Sequence, residues 1–519
     1  MNDSGELGYS WLVRRYALPV CDLLAQSFAT KQSTKRVVKS GVVEETHYPL
    51  QRHRIRFSWQ EQLAFALKHE GVNVEILRAL FRVVSPEEIA AFVAEHPLGN
   101  VRRRVWFLYE FLTERKLDLP DGQGGGYVPL VDGKLQYALP LRNARRSRRH
   151  HVLDNLIGNR AFSPFVRKTA IPPPLECDSL RRETEVLLEN YSAELVYRAV
   201  QYLFVKETKS SFALERESPD QRRTAAFVEI LRQAGESSLE KESLLDIQNR
   251  VVDARYAQRD WRSDQVYVGE TISPTREKVH FIAPRPDAID ELMRGWLDCL
   301  SQWLSSDEPD AIVIAAVMSF AFVFLHPFDD GNGRTHRYLM HAILSKRGFA
   351  PRGLIFPVSA VMLKNRLAYD EALETFSVRL MRVLDYDMDG NGEITVPGDT
   401  RDLYRAIDFT PIVAYFRGTV EETIRTEWKA ELDFLASYDK MRVAMRAIVD
   451  MPEKKANLFI RLALQNGGRL AIGKRKMFSE LSETEIAALE NAVSACMPLA
   501  PANDGRREQS SAGERRHEI

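Results

Sequence analysis

The chain of 519 residues exceeds the size of one ordinary core, so roughly two to four domains are expected. Its 45% hydrophobic and 28% charged residues are typical of a folded globular protein and exclude a disordered one. Lys and Arg number 72, as do Asp and Glu, so the net charge does not indicate nucleic acid or an anionic membrane as the main partner.

No export or membrane segment is evident in the sequence. The N-terminus lacks a basic start followed by an apolar stretch, so it does not resemble a secretory signal. The most apolar run, residues 311–325, contains Ser319 and is short for a membrane span, which favours a buried helix. The four cysteines are scattered and lack metal-ligand spacing. We therefore predict a cytoplasmic protein without a membrane partner.

The N-terminal region is predicted to be a helical domain over residues 1–120. Apolar residues spaced three and four apart indicate its helices. A glycine-rich breaker then begins a predicted linker with a basic segment, residues 121–179, in which residues 127–137 are predicted to form a small hairpin. The predicted helices of the first domain are 59–69, 74–83, 86–94 and 102–115.

A run of basic side chains between Arg142 and His151 lies in this linker. Such a run is found in nucleic-acid sites, but also in solvated loops and on faces that pack against acidic side chains. Aromatic side chains are not interleaved with the basic ones. We therefore expect no nucleic-acid partner.

The remainder of the chain is also predicted to be helical, which makes the fold class mainly all-α. The exceptions are β-leaning stretches at residues 266–282 and 392–396. The tail is rich in Arg, Glu and Ser and is predicted to be disordered. The predicted regions are a core over 180–400, a C-terminal helical region over 401–500 and the tail over 501–519.

A dense group of polar residues follows the apolar run. Residues 326–337 have the sequence His-Pro-Phe-Asp-Asp-Gly-Asn-Gly-Arg-Thr-His-Arg. Glycines before a helix let backbone amides approach an anion, and the helix N-terminus carries partial positive charge. Arg334 and Arg337 lie on one helical face, where an anion between them would relieve their repulsion.

Two further side chains complete the predicted chemistry. Asp330 is unfavourable beside an anion site unless it holds Mg²⁺ that bridges phosphates. His326 is the group able to take a proton near neutral pH. Together with the amides and the two arginines, these groups predict phosphoryl or nucleotidyl transfer.

Residues 326–337 resemble the motif of the Fic family, His-Pro-Phe-x-Asp/Glu-Gly-Asn-Gly-Arg-x-x-Arg, at every defining position. The resemblance implies an all-helical core over about residues 180 to 380 and transfer of AMP from ATP to a Tyr, Ser or Thr hydroxyl of a protein. The related Doc kinases carry an Ala-Asn-Lys-Arg type of loop instead, so we do not expect kinase activity.

The resemblance also implies a role for each motif residue. His326 would activate the target hydroxyl, and Asp330 would hold Mg²⁺ between the α- and β-phosphates. The Gly-Asn-Gly loop would form the anion hole, and the two arginines would hold the β- and γ-phosphates. The residues expected at the nucleotide are Phe328, Gly331, Asn332, Gly333, Arg334 and Arg337.

A second segment, residues 208–217, is by itself a helix start with serine near the cap. Autoinhibited Fic proteins, however, carry Ser/Thr-x-x-x-Glu-Gly/Asn on an inhibitory helix. Ser211 and Glu215 match its first two fixed positions, whereas Arg216 departs from Gly/Asn.

The match suggests how the protein restrains itself. We hypothesise that Glu215 pairs with Arg334 and keeps the γ-phosphate of ATP from its productive position. Because Arg216 departs from the pattern, Glu217 remains the alternative inhibitory residue.

Residues 266–283 predict a hairpin with a proline-containing turn. It either caps the helices or, as the resemblance implies, forms a flap that pairs with the target backbone and places the hydroxyl over His326. The flap residues expected to contact the target are Val279, His280, Phe281 and Ile282.

Residues 387–398 resemble a calcium-binding loop. Its twelfth position is Gly398 instead of the bidentate Glu, and flanking helices are not evident, so a turn leading into a short strand is the alternative. The candidate ligands are Asp387, Asp389, Asn391 and Glu393.

These observations predict an autoinhibited protein adenylyltransferase that uses ATP and Mg²⁺ and modifies a protein target and itself. Three alternatives stay open: a Fic enzyme with another nucleotide donor, net removal of AMP from a target, and an interaction protein built on the outer domains. The resemblance is also compatible with a homodimer.

Overall fold

The computed structural model describes residues 5–49, 57–168, 177–273, 276–351 and 353–497. The chain divides into two compact units. The first comprises Met1–Val186 with Val200–Arg425, and the second comprises Leu187–Ala199 with Thr426–Ile519. Helices dominate both units, as predicted. The tail predicted to be disordered, residues 501–519, lies outside the described residues.

The first unit starts with a small sheet. Its elements are β1 (Glu6–Leu7), α1 (Gly8–Tyr16), β2 (Ala25–Thr30), β3 (Arg36–Ser40) and β4 (Val43–Pro49). The strands lie in the order β1-β2-β4-β3, with β2 and β4 parallel and the other pairs antiparallel. The prediction of a purely helical region is therefore wrong for this part. The strands are short and rich in polar residues, so they lack an apolar run that would identify them.

The predicted helices follow the sheet. They are α2 (Trp59–His69), α3 (Val74–Val83), α4 (Pro86–Glu95) and α5 (Asn100–Thr113). The Ser58 side chain accepts a hydrogen bond from the backbone N–H of Glu61 at the start of α2. Ser85 and Glu88 form a reciprocal capping box at the start of α4. Trp106 and most other apolar side chains of these helices form one buried cluster.

The linker contains β5 (Val128–Pro129), β6 (Arg145–Ser147) and β7 (Val152–Asp154), in the order β5-β7-β6. The predicted hairpin at 127–137 is wrong, because β5 pairs with β7 in parallel and the chain does not fold back on itself. The basic run packs against acidic side chains. Arg149 forms ion pairs with Glu110 at 2.9 Å and with Asp121 at 2.5 Å.

A helical core completes the first unit. Two helices precede it, α6 (Cys177–Glu189) and α7 (Ala193–Leu214), and their residues within Leu187–Ala199 belong to the second unit. Its early elements are α8 (Gln221–Arg232), α9 (Lys241–Val251), β8 (Tyr267–Ser273) and β9 (Arg276–Ile282). They are followed by α10 (Pro286–Leu304), α11 (Ala311–Leu325), α12 (Asn332–Lys346), α13 (Val358–Lys364) and α14 (Arg366–Met381). The last are β10 (Asp387–Met388), β11 (Ile394–Thr395), α15 (Arg401–Arg405) and α16 (Thr410–Glu422).

Helix α11 lies at the centre of this core. Every side chain in it except that of Val323 is buried, because the helix is apolar on all faces. It packs against α10, α12 and α16. Within the described ranges, no helix is both long enough and apolar enough to cross a membrane. The apolar run 311–325 is thus a core helix, as predicted.

The second unit is helical, with α17 (Lys429–Arg446), α18 (Glu453–Leu464), α19 (Ile472–Arg475) and α20 (Glu483–Cys496). Helix α17 packs against α18 and α20 around a core that includes Met441, Phe459 and Leu489. A capping box between Ser482 and Glu485 begins α20.

Candidate active site

The loop between α11 and α12 is shaped by two left-handed residues. His326 ends α11 with a φ of 49° and is followed by Pro327, which cannot continue a helix. Gly331 has a φ of 88° immediately before α12. A Cβ at Gly331 would lie 2.8 Å from Val252 Cγ1, so both the backbone conformation and the close packing require glycine here.

Asn332 and Phe328 lock this loop from inside. The Asn332 side chain accepts a hydrogen bond from Phe328 N at 3.0 Å and donates one to Phe328 O at 2.7 Å. The Phe328 ring is buried, with its centroid 5.3 Å from that of Trp261. These two side chains hold the shape of the loop, so the backbone is the part of Asn332 that remains available to an anion.

His326 is held in one orientation by its own helix. Its Nδ1 lies 3.2 Å from the carbonyl oxygen of Val323, which can only accept a hydrogen bond. Nδ1 therefore carries the proton and Nε2 has the free lone pair. Burial lowers the pKa of His326 from 6.5 to about 4, so the ring is neutral at neutral pH.

The two motif arginines are buried and face one carboxylate. Glu215 Oε2 lies 2.8 Å from Arg334 Nε, and Glu215 Oε1 lies 2.5 Å from Arg337 Nη2. A Cβ on Gly333 would collide with the same carboxylate. Glu215 thus occupies the position at the start of α12 where the sequence predicts a phosphate. The predicted contact between Glu215 and Arg334 is present.

Further contacts fix the two guanidinium groups. Arg337 donates from Nε to the hydroxyl of Ser211 at 2.7 Å and from Nη2 to the Ser211 carbonyl at 2.8 Å. Arg334 donates from Nη1 to Val251 O and from Nη2 to Asp330 Oδ1, each at 2.8 Å. Ser211, which the sequence assigned to the inhibitory segment, is therefore a direct partner of the motif.

Arg216 ends helix α7 in a left-handed conformation with a φ of 59°. Arg216 N donates to Ala213 O and Glu217 N donates to Phe212 O, both at 3.0 Å. This pair of bonds is the Schellman motif, in which the left-handed position favours Gly or Asn. Arg216 thus departs from the inhibitory pattern at a position where the left-handed backbone favours the Gly or Asn of that pattern.

The Schellman turn brings the second candidate glutamate to the same arginine. Glu217 Oε1 lies 3.3 Å from Arg334 Nη2, and Glu217 Oε2 lies 2.8 Å from Arg223 Nη2. Glu215 contacts both motif arginines at shorter distances. The geometry therefore favours Glu215 as the main partner and leaves Glu217 a supporting one.

The predicted hairpin is present as β8 and β9, which pair in antiparallel fashion. Val279 and His280 are partly exposed. Phe281 instead packs against Phe324 and Phe376, and Ile282 is completely buried. These two apolar side chains therefore anchor the hairpin to the core, and pairing of residues 279–282 with a target backbone stays a prediction.

The calcium-like segment forms the turn between β10 and β11. Asp389 Oδ1 accepts hydrogen bonds from Asn391 N at 2.9 Å and from Glu393 N at 2.8 Å, which caps the turn. The described residues contain no group of three or more His, Cys, Asp or Glu side chains that could hold a metal ion. The segment is thus a turn before a short strand, which was the alternative, and a calcium site with Asp387 and its neighbours stays a prediction.

Comparison with known proteins identifies the family of this region. Residues 238–344 match the Fic/DOC family. This segment is a Fic domain. Residues 208–217, which the sequence predicts to be inhibitory, lie outside the matched residues, although Glu215 contacts the motif directly.

The Fic domain has relatives among curated proteins. A protein adenylyltransferase Fic from Nematostella vectensis is 37% identical over 94 residues, which are 18% of this chain and 19% of that protein. The protein adenylyltransferase fic-1 of Caenorhabditis elegans is 35% identical over 100 residues, which are 19% of this chain and 16% of that protein. The matches thus span less than a fifth of the length of each relative.

The chain also aligns with solved structures of Fic proteins. A Fic family protein from Desulfovibrio desulfuricans aligns with a TM-score of 0.34 at 20% identity, over 59% of this chain and 84% of that one. A Fic-domain signalling protein from Bacteroides thetaiotaomicron aligns with a TM-score of 0.35 at 17% identity, over 49% of this chain and 96% of that one.

Two residues of the Fic domain that sequence reasoning missed support the motif loop. Gln248 Nε2 donates to Asp330 O and to Tyr256 O, each at 3.1 Å. Gln258 accepts from Asp329 N at 2.9 Å and donates to the Asp329 carboxylate at 2.8 Å. A single glutamine outside the motif has no recognisable spacing, so nothing in the sequence identified these supports.

Proposed function

We propose that this protein is a protein adenylyltransferase that transfers AMP from Mg-ATP to a Tyr, Ser or Thr hydroxyl of a target protein and of itself. We further propose that Glu215 restrains the transfer. The observation that carries the proposal is the Glu215 carboxylate, which bridges Arg334 and Arg337 at the start of α12. The names of the curated relatives, matched over the Fic domain, support the same chemistry.

The residues present suit an in-line displacement. The target hydroxyl oxygen attacks the α-phosphorus, and the bond between that phosphorus and the pyrophosphate oxygen breaks. The hydroxyl proton passes to Nε2 of His326, which is neutral and has its lone pair free. Pyrophosphate leaves from Arg334 and Arg337, and the buried guanidinium groups offset its charge.

Asp330 is the side chain that would hold Mg²⁺. Mg²⁺ is commonly bound by one or two carboxylates together with substrate phosphates, so a single carboxylate beside the anion site fits it. The Asp330 side chain is 40% exposed, although Oδ1 pairs with Arg334. When bound, Mg²⁺ would neutralise phosphate charge.

The proposed restraint is a competition between two anions. Charge-assisted hydrogen bonds contribute about 1.5–3 kcal/mol each, and 1.4 kcal/mol corresponds to about a tenfold change in an equilibrium. Because a γ-phosphate and Glu215 require the same guanidinium atoms, removal of the carboxylate is expected to raise transfer by roughly 10- to 100-fold.

The test is incubation of the full chain with Mg²⁺ and ATP labelled at the α-phosphate, followed by measurement of label on the protein. We expect weak labelling of the parent, strong labelling of Glu215→Gly, and none of Glu215→Gly combined with His326→Ala. Glu236→Gly, which changes an exposed glutamate outside the site, is the matched control and should behave as the parent.

Other labels separate the alternatives. Label from the γ-phosphate would indicate a kinase, and stronger transfer from UTP or CDP-choline would indicate another donor. Absence of transfer that depends on His326, from every donor, would overturn the proposal in favour of an interaction protein. Equal labelling of the parent and Glu215→Gly would refute the proposed restraint by Glu215 but not the proposed transfer of AMP.

A further inference from the structure

Arg262 is a buried residue that joins the motif loop to both ends of the hairpin. Its side chain is almost completely buried. Its guanidinium donates from Nε to His326 O at 2.7 Å, from Nη1 to Asp264 O at 2.6 Å and from Nη2 to Pro284 O. Its backbone N–H donates to Pro327 O at 2.8 Å.

These acceptors come from three segments of the chain. Asp264 precedes β8 and Pro284 follows β9, so the guanidinium joins the two ends of the hairpin. The third acceptor is the carbonyl of His326, whose left-handed backbone is unusual for a residue with a Cβ. A left-handed conformation costs roughly 1–2 kcal/mol, so surrounding contacts are needed to maintain it.

Arginine suits this arrangement better than other residues. Its planar guanidinium presents five donors in a fixed fork, whereas a lysine ammonium is a compact point charge. Burial lowers the pKa of Arg262 to about 10, so the group remains charged at neutral pH. The same charge contributes to lowering the pKa of His326, after the larger effect of burial.

We propose that Arg262 is a positioning residue that holds His326 and the hairpin in one fixed relation, so that a target bound on the hairpin presents its hydroxyl to Nε2. The role in transfer rests on the proposed function. Arg262 contacts neither motif arginine through the bonds described, so it acts on the acceptor side of the reaction. Its loss is expected to change the maximal rate more than the ATP requirement.

The kinetic test uses Arg262→Lys and Arg262→Gln in the full chain carrying Glu215→Gly. We expect maximal self-modification to fall roughly 10- to 100-fold in both variants. The half-saturating ATP concentration should change less than about twofold, because the phosphate-binding groups are intact. Arg294→Gln removes an exposed arginine of α10 and is expected to keep the parent rate. Parental activity in Arg262→Lys would overturn the role of the fork.

Two measurements are independent of activity. The imidazole of His326, assigned by its loss in His326→Ala, should titrate at a higher pKa in Arg262→Gln. Backbone amides of β8 and β9 should exchange with solvent roughly tenfold faster or more in both variants, while the circular dichroism spectrum is unchanged. If the chain transfers no nucleotide, the proposed function fails, but these measurements still decide whether Arg262 fixes the His326–hairpin relation. Unchanged exchange and an unchanged His326 pKa would refute it.

Discussion

At the scale of single residues, the contacts of Arg334 and Arg337 organise the site. Both are buried, and a buried guanidinium requires acceptors for its N–H groups. Arg337 donates to Ser211 at the end of α7 and to Glu215 just after it, and Arg334 donates to Asp330 of the motif itself. The motif residues could be predicted because twelve adjacent positions carry the pattern. Their support by Arg262 and Gln248 could not, because only the fold brings these distant residues together.

Arg216 provides a test of the backbone at the end of α7. Arg216→Gly should stabilise the protein by about 1 kcal/mol or less, because glycine adopts the left-handed conformation without the Cβ penalty. Ala225→Gly, at an exposed position inside α8, should instead destabilise it by about 1 kcal/mol. Thermal unfolding of both variants measures the two effects. A lower midpoint for Arg216→Gly would contradict the importance of the turn.

His336 predicts how stability depends on pH. Burial lowers its pKa from 6.5 to about 3, so the folded state binds fewer protons than the unfolded state between these values. The stabilisation is complete above pH 6.5 and is lost as the pH falls towards about 3, at about 1.4 kcal/mol per pH unit.

The effect of His336 is isolated by comparison of urea unfolding at several pH values. In His336→Gln the free energy of unfolding should fall less steeply below pH 6.5 than in the parent, since other groups contribute equally to both. His96→Gln, at an exposed histidine, should retain the parental slope. Equal slopes for the parent and His336→Gln would rule out His336 as a source of the pH dependence of the free energy of unfolding.

At the scale of elements, helix α7 is attached to the motif helix at two levels. Besides Ser211, and Glu215 just after its end, it carries the completely buried Glu207. The Glu207 carboxylate lies 2.8 Å from His341 Nε2 on α12 and accepts from Ser359 N at 2.9 Å. The contact that we propose to be inhibitory is therefore made just after a helix that is itself anchored in the core.

Substitution of Glu207 should weaken this anchor. Glu207→Gln is expected to destabilise the protein by about 1–3 kcal/mol, because it replaces one partner of a buried charged network. Amides in the second half of α7 should exchange faster, and self-modification should increase. Glu229→Gln on α8 is the exposed control. Increased exchange without increased labelling would show that Glu215 does not depend on the anchor.

The same scale explains which elements the sequence predicts. Helices α2 to α5 have apolar residues at helical spacing, and α2 to α4 also have side-chain caps. Helix α11 is apolar throughout, so periodicity and composition identify all five helices. The strands of the N-terminal sheet are short and polar, and long-range pairing such as that of β2 with β4 has no local signal. The hairpin of β8 and β9 was recognised because its turn joins two adjacent β-leaning stretches.

At the scale of the whole molecule, the second unit is built from two separate stretches of the chain. Helix α7 runs from Ala193 to Leu214, and its first residues belong to the second unit. Within that unit, Arg198 forms an ion pair with Asp439 at 2.7 Å. Tyr191, just before the helix, donates to Asp433 at 2.6 Å.

Truncation after Arg425 removes Asp433 and Asp439, so the start of α7 should lose protection against hydrogen exchange. The rate of hydrogen exchange of backbone amides near Arg198, measured by mass spectrometry, is expected to rise tenfold or more. Deletion of residues 498–519 alone, which contain neither aspartate, is the control. Unchanged exchange near Arg198 after the larger truncation would show that these contacts do not order the helix.

The contact of Glu215 with both motif arginines also affects how the anion site of the unliganded protein responds to ions in solution. An anion-binding site without an internal partner takes up counterions, and its occupancy then varies with phosphate and with ionic strength. Here the chain supplies its own counterion, held by covalent connection at a constant local concentration. Simple inorganic anions must displace a tethered rival before they gain the same contacts, so the resting site is insulated from the ordinary ions around it.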